Sequence, residues 1–296
     1  MLVVLWSSLV GAIKGGVLTT RKIGHDTVVY IIDDFMGAAA AAAARHHALV
    51  ACAFAWARHA YPGIWCRNRR SRDSAARYSD LANAHLEQHG LSLRFDGRDS
   101  FFGVVANRSH MDFATAPHID FHSETQYAAV HYLFYAENTS SPSGGTAFFR
   151  DKATGIERFR SSAQCSGGAL GSSSKQSGGI CKRAGVDPQA AAVPFMTRDD
   201  PWYEVLAIAA PKFDRFVLYP SNQIHGAWMD HAAVNRFLAD GGGDTFTLSE
   251  RAREGRLTSN LFGKRILLKH QPTRRVAAAT AAAAAAYAPE GGRGEL

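Results

Sequence analysis

Residues 215–228 read RFVLYPSNQIHGAW. Phe216, Val217, Leu218 and Tyr219 form a short apolar and aromatic run, the composition of a buried strand. Pro220, Ser221 and Asn222 interrupt it, and His225 follows. A histidine just past a buried strand is placed to face an interior site. Working outward, the same strand grammar recurs at Thr27–Ile32, Leu91–Phe95, Phe101–Ala106, Tyr127–Tyr135, Thr146–Arg150, Trp202–Ala209 and Arg256–Phe262. Turn residues separate these runs. Many short strands with turn signals predict a sandwich or barrel. Helical composition lies at Phe35–Ala60, which contains the alanine run Ala38–Ala44, and at the amphipathic Ser79–His89. The expected fold class is therefore mainly β with flanking helices (α+β), a jelly roll with helices packed on one side. Asp33-Asp34 is the expected N-cap of the first helix.

Composition narrows the class. The 296 residues are 46% hydrophobic and 20% charged, enough to bury a core and too apolar for wholesale disorder. A formal net charge of +7 permits acidic partners without demanding nucleic acid, and no aromatic–basic stripe supports one. Part of the excess falls in Arg67, Arg69, Arg70 and Arg72, read as a solvated basic loop. The apolar stretch Met1–Ile13 is too short to span a bilayer. It lacks a positive n-region and a small-residue cleavage site, so it reads as an arm packed on the domain rather than a secretory signal. A soluble, cytoplasmic protein is the expectation. The four cysteines, Cys52, Cys66, Cys165 and Cys181, form no CxxC pair and are expected as free thiols, although Cys165 and Cys181 flank a segment that they could close.

One domain is expected over 1–272, with the opening strand and helices at 17–90 and the β body at 91–272. Ser161–Ala192, rich in Ser, Gly, Ala and Lys, reads as a flexible insertion in that body. Residues 273–296 read as a low-complexity tail.

Pro117-His118-Ile119-Asp120 carries the chemistry. In an extended chain, residues two apart share a face, so His118 and Asp120 can reach one metal ion. A third ligand must come from elsewhere, and His225 is the natural candidate. Two imidazoles and one carboxylate on one face of a metal, with the other face open, suit Fe(II) that must still take a 2-oxo acid and dioxygen. A bidentate arginine would hold the far carboxylate of that acid. His122 and Glu124 form a second H-x-E pair, read as rim residues. His231 lacks a preceding strand.

The ordered set PHID (117–120), HYLFYAEN (131–138) leading to GGTAFFR (144–150), RFVLYPSNQIHGAW (215–228) and GRLTSNLF (255–262), with IIDDF (31–35) at the start, resembles the Fe(II)/2-oxoglutarate-dependent oxygenases with a prolyl-hydroxylase-like layout. The resemblance runs from about Val28 to Phe262, outside the insertion. It implies a double-stranded β-helix, Fe(II) on His118, Asp120 and His225, and 2-oxoglutarate as co-substrate, decarboxylated to succinate as O2 is used to hydroxylate an unidentified substrate. The carboxylate anchor it implies is Arg256, with Thr258 two residues on along the same face. Arg236 competes, being nearer to His225; Arg256 requires an intervening loop, which Ala239–Asp244 supplies. Arg150 and Tyr132 are expected to contact the co-substrate, although aromatic packing is the plainer role for Tyr132 and Tyr135. His131 is expected to be structural, and Asn222 and Trp228 to shape the pocket around His225. Two other classes fit the ligand set: a cupin-like metal enzyme that does not use 2-oxoglutarate, and a catalytically inactive jelly-roll binding module.

Overall fold

A computed structural model describes residues 16–56, 63–66, 69–105, 117–121, 123–135, 144–160, 170–171, 182–183, 202–228 and 255–266. The chain is mainly β. Its strands are β1 (Val17–Ile23), β2 (Thr27–Asp33), β3 (Ala55–Trp56), β4 (Gly63–Cys66), β5 (Leu93–Val105), β6 (Gln126–Tyr132), β7 (Gly145–Asp151), β8 (Leu170–Gly171), β9 (Lys182–Arg183), β10 (Tyr203–Ala209), β11 (Phe216–Pro220), β12 (His225–Trp228) and β13 (Arg256–Arg265). Two α-helices, α1 (Ala38–Ala51) and α2 (Arg69–Leu86), lie between β2 and β5. An eight-stranded sheet runs β1-β2-β11-β6-β13-β5-β4-β3, and a three-stranded sheet runs β10-β7-β12. The pairings in both are antiparallel.

Strand alternation sorts the core into layers. One face of the large sheet receives α2: Ala75, Tyr78, Ala82 and Leu86, at helical spacing, pack on Ile32, Ala129, Phe216, Leu218 and Leu261. Ala41 and Ala48 of α1 cover Ile64, Phe102, Val104 and Leu257 on the same side. The opposite face carries Val29, Ala128, Val130, Tyr132, Val217 and Tyr219, which meet Phe148 and Ala209 of the small sheet. Ala147 and Phe149, which alternate with Phe148 on β7, join a separate apolar cluster with Ile119, Phe159, Ile224 and Trp228.

Several expectations need correction. The first helix covers Ala38–Ala51 and not 35–60. Alanine propensity favours helix, but Cys52 turns extended and joins Cys66 in a disulfide, while Ala55–Trp56 pairs with β4. Cys52 and Cys66 are therefore not free thiols, and Cys165 and Cys181 lie outside the described residues. Asp33 does not cap the helix; its carboxylate is paired with the Arg215 guanidinium. Arg69, Arg70 and Arg72 belong to α2 and not to a loop. The second helix starts well before Ser79 and passes through a 3-10 turn at Glu87–His89 to Gly90, whose φ of 69° suits a glycine stop. Leu93–Phe95 and Phe101–Val105, from two expected runs, belong to one strand, β5, whose partner register shifts between Asn260 and Phe262. Within Ser161–Ala192 only the short β8–β9 pairing is described, and Met1–Ile13 and 273–296 lie outside the described residues.

A buried polar chain ties α2 to the large sheet. The Tyr78 hydroxyl lies 2.8 Å from His131 Nδ1, and His131 Nε2 lies 3.0 Å from Asp214 Oδ1. The Asp214 carboxylate also accepts the Met36 N–H. All three side chains are almost wholly buried. The Asp214 carboxylate can only accept, so the neutral His131 donates through Nε2–H and receives the Tyr78 hydroxyl at Nδ1. Burial lowers the His131 pKa, against the opposing pull of Asp214. The folded state therefore binds this proton less readily than the unfolded chain. The resulting stability is complete above the unfolded value of about 6.5 and is lost as pH falls below it. His131→Leu should cost on the order of 2 kcal/mol at pH 8 by removing one partner each from the buried Tyr78 hydroxyl and the buried Asp214 carboxylate. It should also flatten this part of the acid limb, as read from urea denaturation at a series of pH values.

Candidate metal centre

The PHID string is pinned beside β12 by backbone bonds. His118 N–H donates to His225 O (2.8 Å), and His225 N–H donates to His118 O (2.9 Å). Asp120 N–H donates to Ser221 O at 2.9 Å. Ile119 enters the core cluster with Phe149 and Ile224, so the flanking residues His118 and Asp120 turn the other way, as alternation requires.

The two imidazoles and the carboxylate converge there. One ligand atom from each of His118, Asp120 and His225 lies within 4.8 Å of the others. His118 Nε2 is 3.9 Å from Asp120 Oδ1, and His225 Nε2 is 3.3 Å from Asp120 Oδ2. His225 Nδ1 is 2.9 Å from Gln223 O and donates its hydrogen there, which fixes the tautomer and leaves Nε2 as a lone-pair donor. Burial holds the His225 pKa well below the usual range, His118 adds to this, and the Gln223 carbonyl opposes it. Burial pushes Asp120 up to about 6, against the pull of His118.

The donors fit a divalent cation on their own chemistry. Asp120 Oδ2 is buried with no hydrogen-bond partner, an arrangement that is costly without a cation. Two neutral nitrogens and one anionic oxygen are a set that iron accepts. The cluster is open on one side: the His118 side chain is 37% exposed, against 6% for His225.

A second polar group occupies the same inner face. Arg256 is 7% exposed. Its Nε donates to Gly144 O and one terminal nitrogen to Gly145 O at 3.2 Å, and the guanidinium lies 5.4 Å from the Tyr132 ring centre. Among the described residues no carboxylate pairs with it. The Tyr132 hydroxyl meets Thr146 Oγ1 at 2.7 Å. Gly144 makes this approach with φ of 88°, and a Cβ there would strike the Phe134 ring. Tyr219 connects the two groups: its ring lies 4.6 Å from that of His225. Its pKa is raised well above the usual value by burial first and then by Asp120 and Tyr132, with Arg256 pulling the other way.

Not every predicted residue joins this set. Thr258 is buried two residues from Arg256, but its hydroxyl donates to Gly103 O (3.2 Å) and accepts Asn260 Nδ2 (3.0 Å). The structure places Arg150 in ion pairs with Glu157 and Glu204, so its charge is satisfied away from the His/Asp/His cluster. Glu124 is exposed and pairs with Arg160. Asn222 is buried and accepts from Arg158 Nε, and Trp228 packs with Ala147 and Phe149. The Tyr135 ring stacks on Phe213. His122, His231 and Arg236 lie outside the described residues. Sequence reasoning missed Thr146 and Tyr219. Both sat in quoted strings, and strand alternation would have put Thr146 on the face of Phe148 and Tyr219 on the face of Val217.

Fold and site together define a mainly β protein with a His/Asp/His cluster able to hold a metal ion. The chain belongs to DUF6445, a family of unknown function, whose model matches residues 16–263. No curated protein matches the chain. No helix among the described residues is long and apolar enough to cross a membrane.

Proposed function

We propose that this chain is an Fe(II)- and 2-oxoglutarate-dependent dioxygenase built on a double-stranded β-helix. The observation that carries the reading is Arg256: a buried cation without a carboxylate partner among the described residues, on the interior face that also holds Tyr219 beside His225. A buried guanidinium awaiting an anion is expensive unless a ligand supplies one. A second buried group awaits a partner of opposite charge, the Asp120 carboxylate. A dicarboxylate that reaches both a cation on the His/Asp/His set and Arg256 would satisfy both.

His118, Asp120 and His225 would hold Fe(II). When bound with 2-oxoglutarate, the metal would activate O2, with decarboxylation of the co-substrate to succinate and hydroxylation of a substrate C–H bond. The chain's own work is orientation. Gln223 O sets the His225 tautomer. Arg256 receives the distal carboxylate in a bidentate grip, and the hydrogen-bonded Tyr132–Thr146 hydroxyl pair stands beside it, with one hydroxyl hydrogen left over from the bond between them. Val130 and Val217 of the large sheet pack with Phe148 of the small sheet as an apolar cluster beside Tyr132.

The test is succinate formation by the purified protein with Fe(II), 2-oxoglutarate and O2, since slow turnover without primary substrate is the expected leak. Succinate should form in proportion to 2-oxoglutarate consumed and stop when the metal is chelated. Tight metal binding with no 2-oxoglutarate binding would move the protein to the cupin-like class, and no metal binding would leave a binding module.

A further inference from the structure

The open side of the metal cluster adjoins a strip of aromatic rings that neither the ligand set nor Arg256 uses. Pairing registers fix its position on the inner face of the large sheet. Trp65 is opposite Gly103, which is opposite Thr258, which is opposite Tyr132. In the next row Phe101, Asn260, Val130 and Val217 follow one another. In the third, Phe262 pairs with Ala128 and Ala128 with Tyr219, the ring that touches His225. Phe121 comes directly after the ligand Asp120 and lies edge-on to Phe262 at 5.4 Å. Phe262 lies 6.3 Å from Phe101, which lies 5.5 Å from Trp65. The rings thus lead continuously from the PHID string to β4, one strand in from the sheet edge.

Chemistry along this strip is selective. Phe121, Phe262 and Trp65 are half-buried, and Phe101 between them is buried. One polar group is set among them: Asn260 gives its amide N–H to Thr258 Oγ1, which leaves Oδ1 as an acceptor without a partner among the described residues. Asp96, opposite Phe262, is exposed at the outer end. A half-buried acceptor in an apolar wall favours an uncharged ligand with a flat apolar body and one N–H or O–H donor.

We infer that the Trp65–Phe101–Phe262–Phe121 strip, with Asn260, is the substrate-recognition wall, and that the primary substrate presents an uncharged, flat, apolar group carrying a single hydrogen-bond donor. This inference rests on the metal-centre reading.

Indole is the probe, with the full-length protein loaded with Mn(II) and 2-oxoglutarate, and nuclear relaxation of the probe's protons is the readout. Indole protons should relax strongly, and glucose protons should not. Loss of the donor in 1-methylindole should weaken binding about fivefold, the worth of one net hydrogen bond. Phe262→Ala and Trp65→Ala should each weaken indole by roughly two- to tenfold and leave Mn(II) affinity unchanged, with Phe262→Leu intermediate. Equal relaxation of indole and glucose, or equal binding of indole and 1-methylindole, would overturn the recognition wall alone, and neither comparison needs a variant. Failure of the protein to bind Mn(II) would overturn the metal centre and the wall together.

Discussion

His225→Ala and His118→Ala should each reduce Fe(II) or Mn(II) affinity by more than about 100-fold, beyond what loss of an outer hydrogen-bond partner typically costs. His122→Ala should leave it nearly intact. The physical reason is the small number of donors: removing one of three leaves two, which cannot enclose a cation. Asp120→Ala should abolish metal binding too, with a different signature in the metal-free protein. Asp120 Oδ2 is buried without a hydrogen bond, so deleting the carboxylate removes a desolvated group and should not lower the melting temperature. Metal-induced stabilisation would vanish. The pH dependence follows from the same carboxylate. Burial pushes Asp120 up to about 6, so protons compete with the metal for it once pH falls below about 6, and affinity should drop there. Titration calorimetry across pH 5–8, together with thermal denaturation with and without metal, checks each step. If His122→Ala loses as much affinity as His225→Ala, the ligand set is wrong.

The convergence of His118, Asp120 and His225 was readable in the sequence because each rests on a local rule. His118 and Asp120 share a side because extended backbone alternates, and His225 was marked by the apolar strand ahead of it. The two-sided character of the large sheet was readable for the same reason. The rest was hidden because it depends on partners far apart in the chain. Asp33 looks like a helix cap locally, yet Arg215 offers its carboxylate two charged hydrogen bonds, stronger than a cap. Alanine propensity cannot anticipate that Cys52 leaves the helix to meet Cys66. Arg256 was expected as the anchor and Arg150 as a further contact, and what separates them in the structure is their acidic neighbours. Glu157 and Glu204 satisfy Arg150, and no such pair surrounds Arg256 among the described residues. The lack of a carboxylate partner among the described residues cannot be seen from spacing, and the proposed role of Arg256 rests on it.

That difference predicts how Arg256 variants should behave. Arg256→Ala should weaken 2-oxoglutarate on the order of 100-fold or more, the cost of removing one member of a buried charge pair. Arg236→Ala should change it far less. Alanine alone is ambiguous, because the guanidinium also donates to Gly144 O and Gly145 O, and losing those bonds could loosen the turn. Arg256→Met, read by thermal denaturation without ligand, separates the two effects. It loses the same two donors but keeps an apolar stem against the Tyr132 ring and removes an uncompensated charge from the interior, which offsets them, so the free protein should be about as stable. It should still lose 2-oxoglutarate, while Mn(II) affinity, which depends on the other three side chains, is retained. Arg256→Lys should fall between, since an ammonium supplies charge without the planar fork. The measurements are Mn(II) titration, 2-oxoglutarate titration of the Mn(II)-loaded variants, and thermal denaturation of each variant without ligand. A methionine variant that binds 2-oxoglutarate like the parent, beside an Arg236→Ala that does not, would place the anchor within residues 229–254 and leave Arg256 as a structural cation.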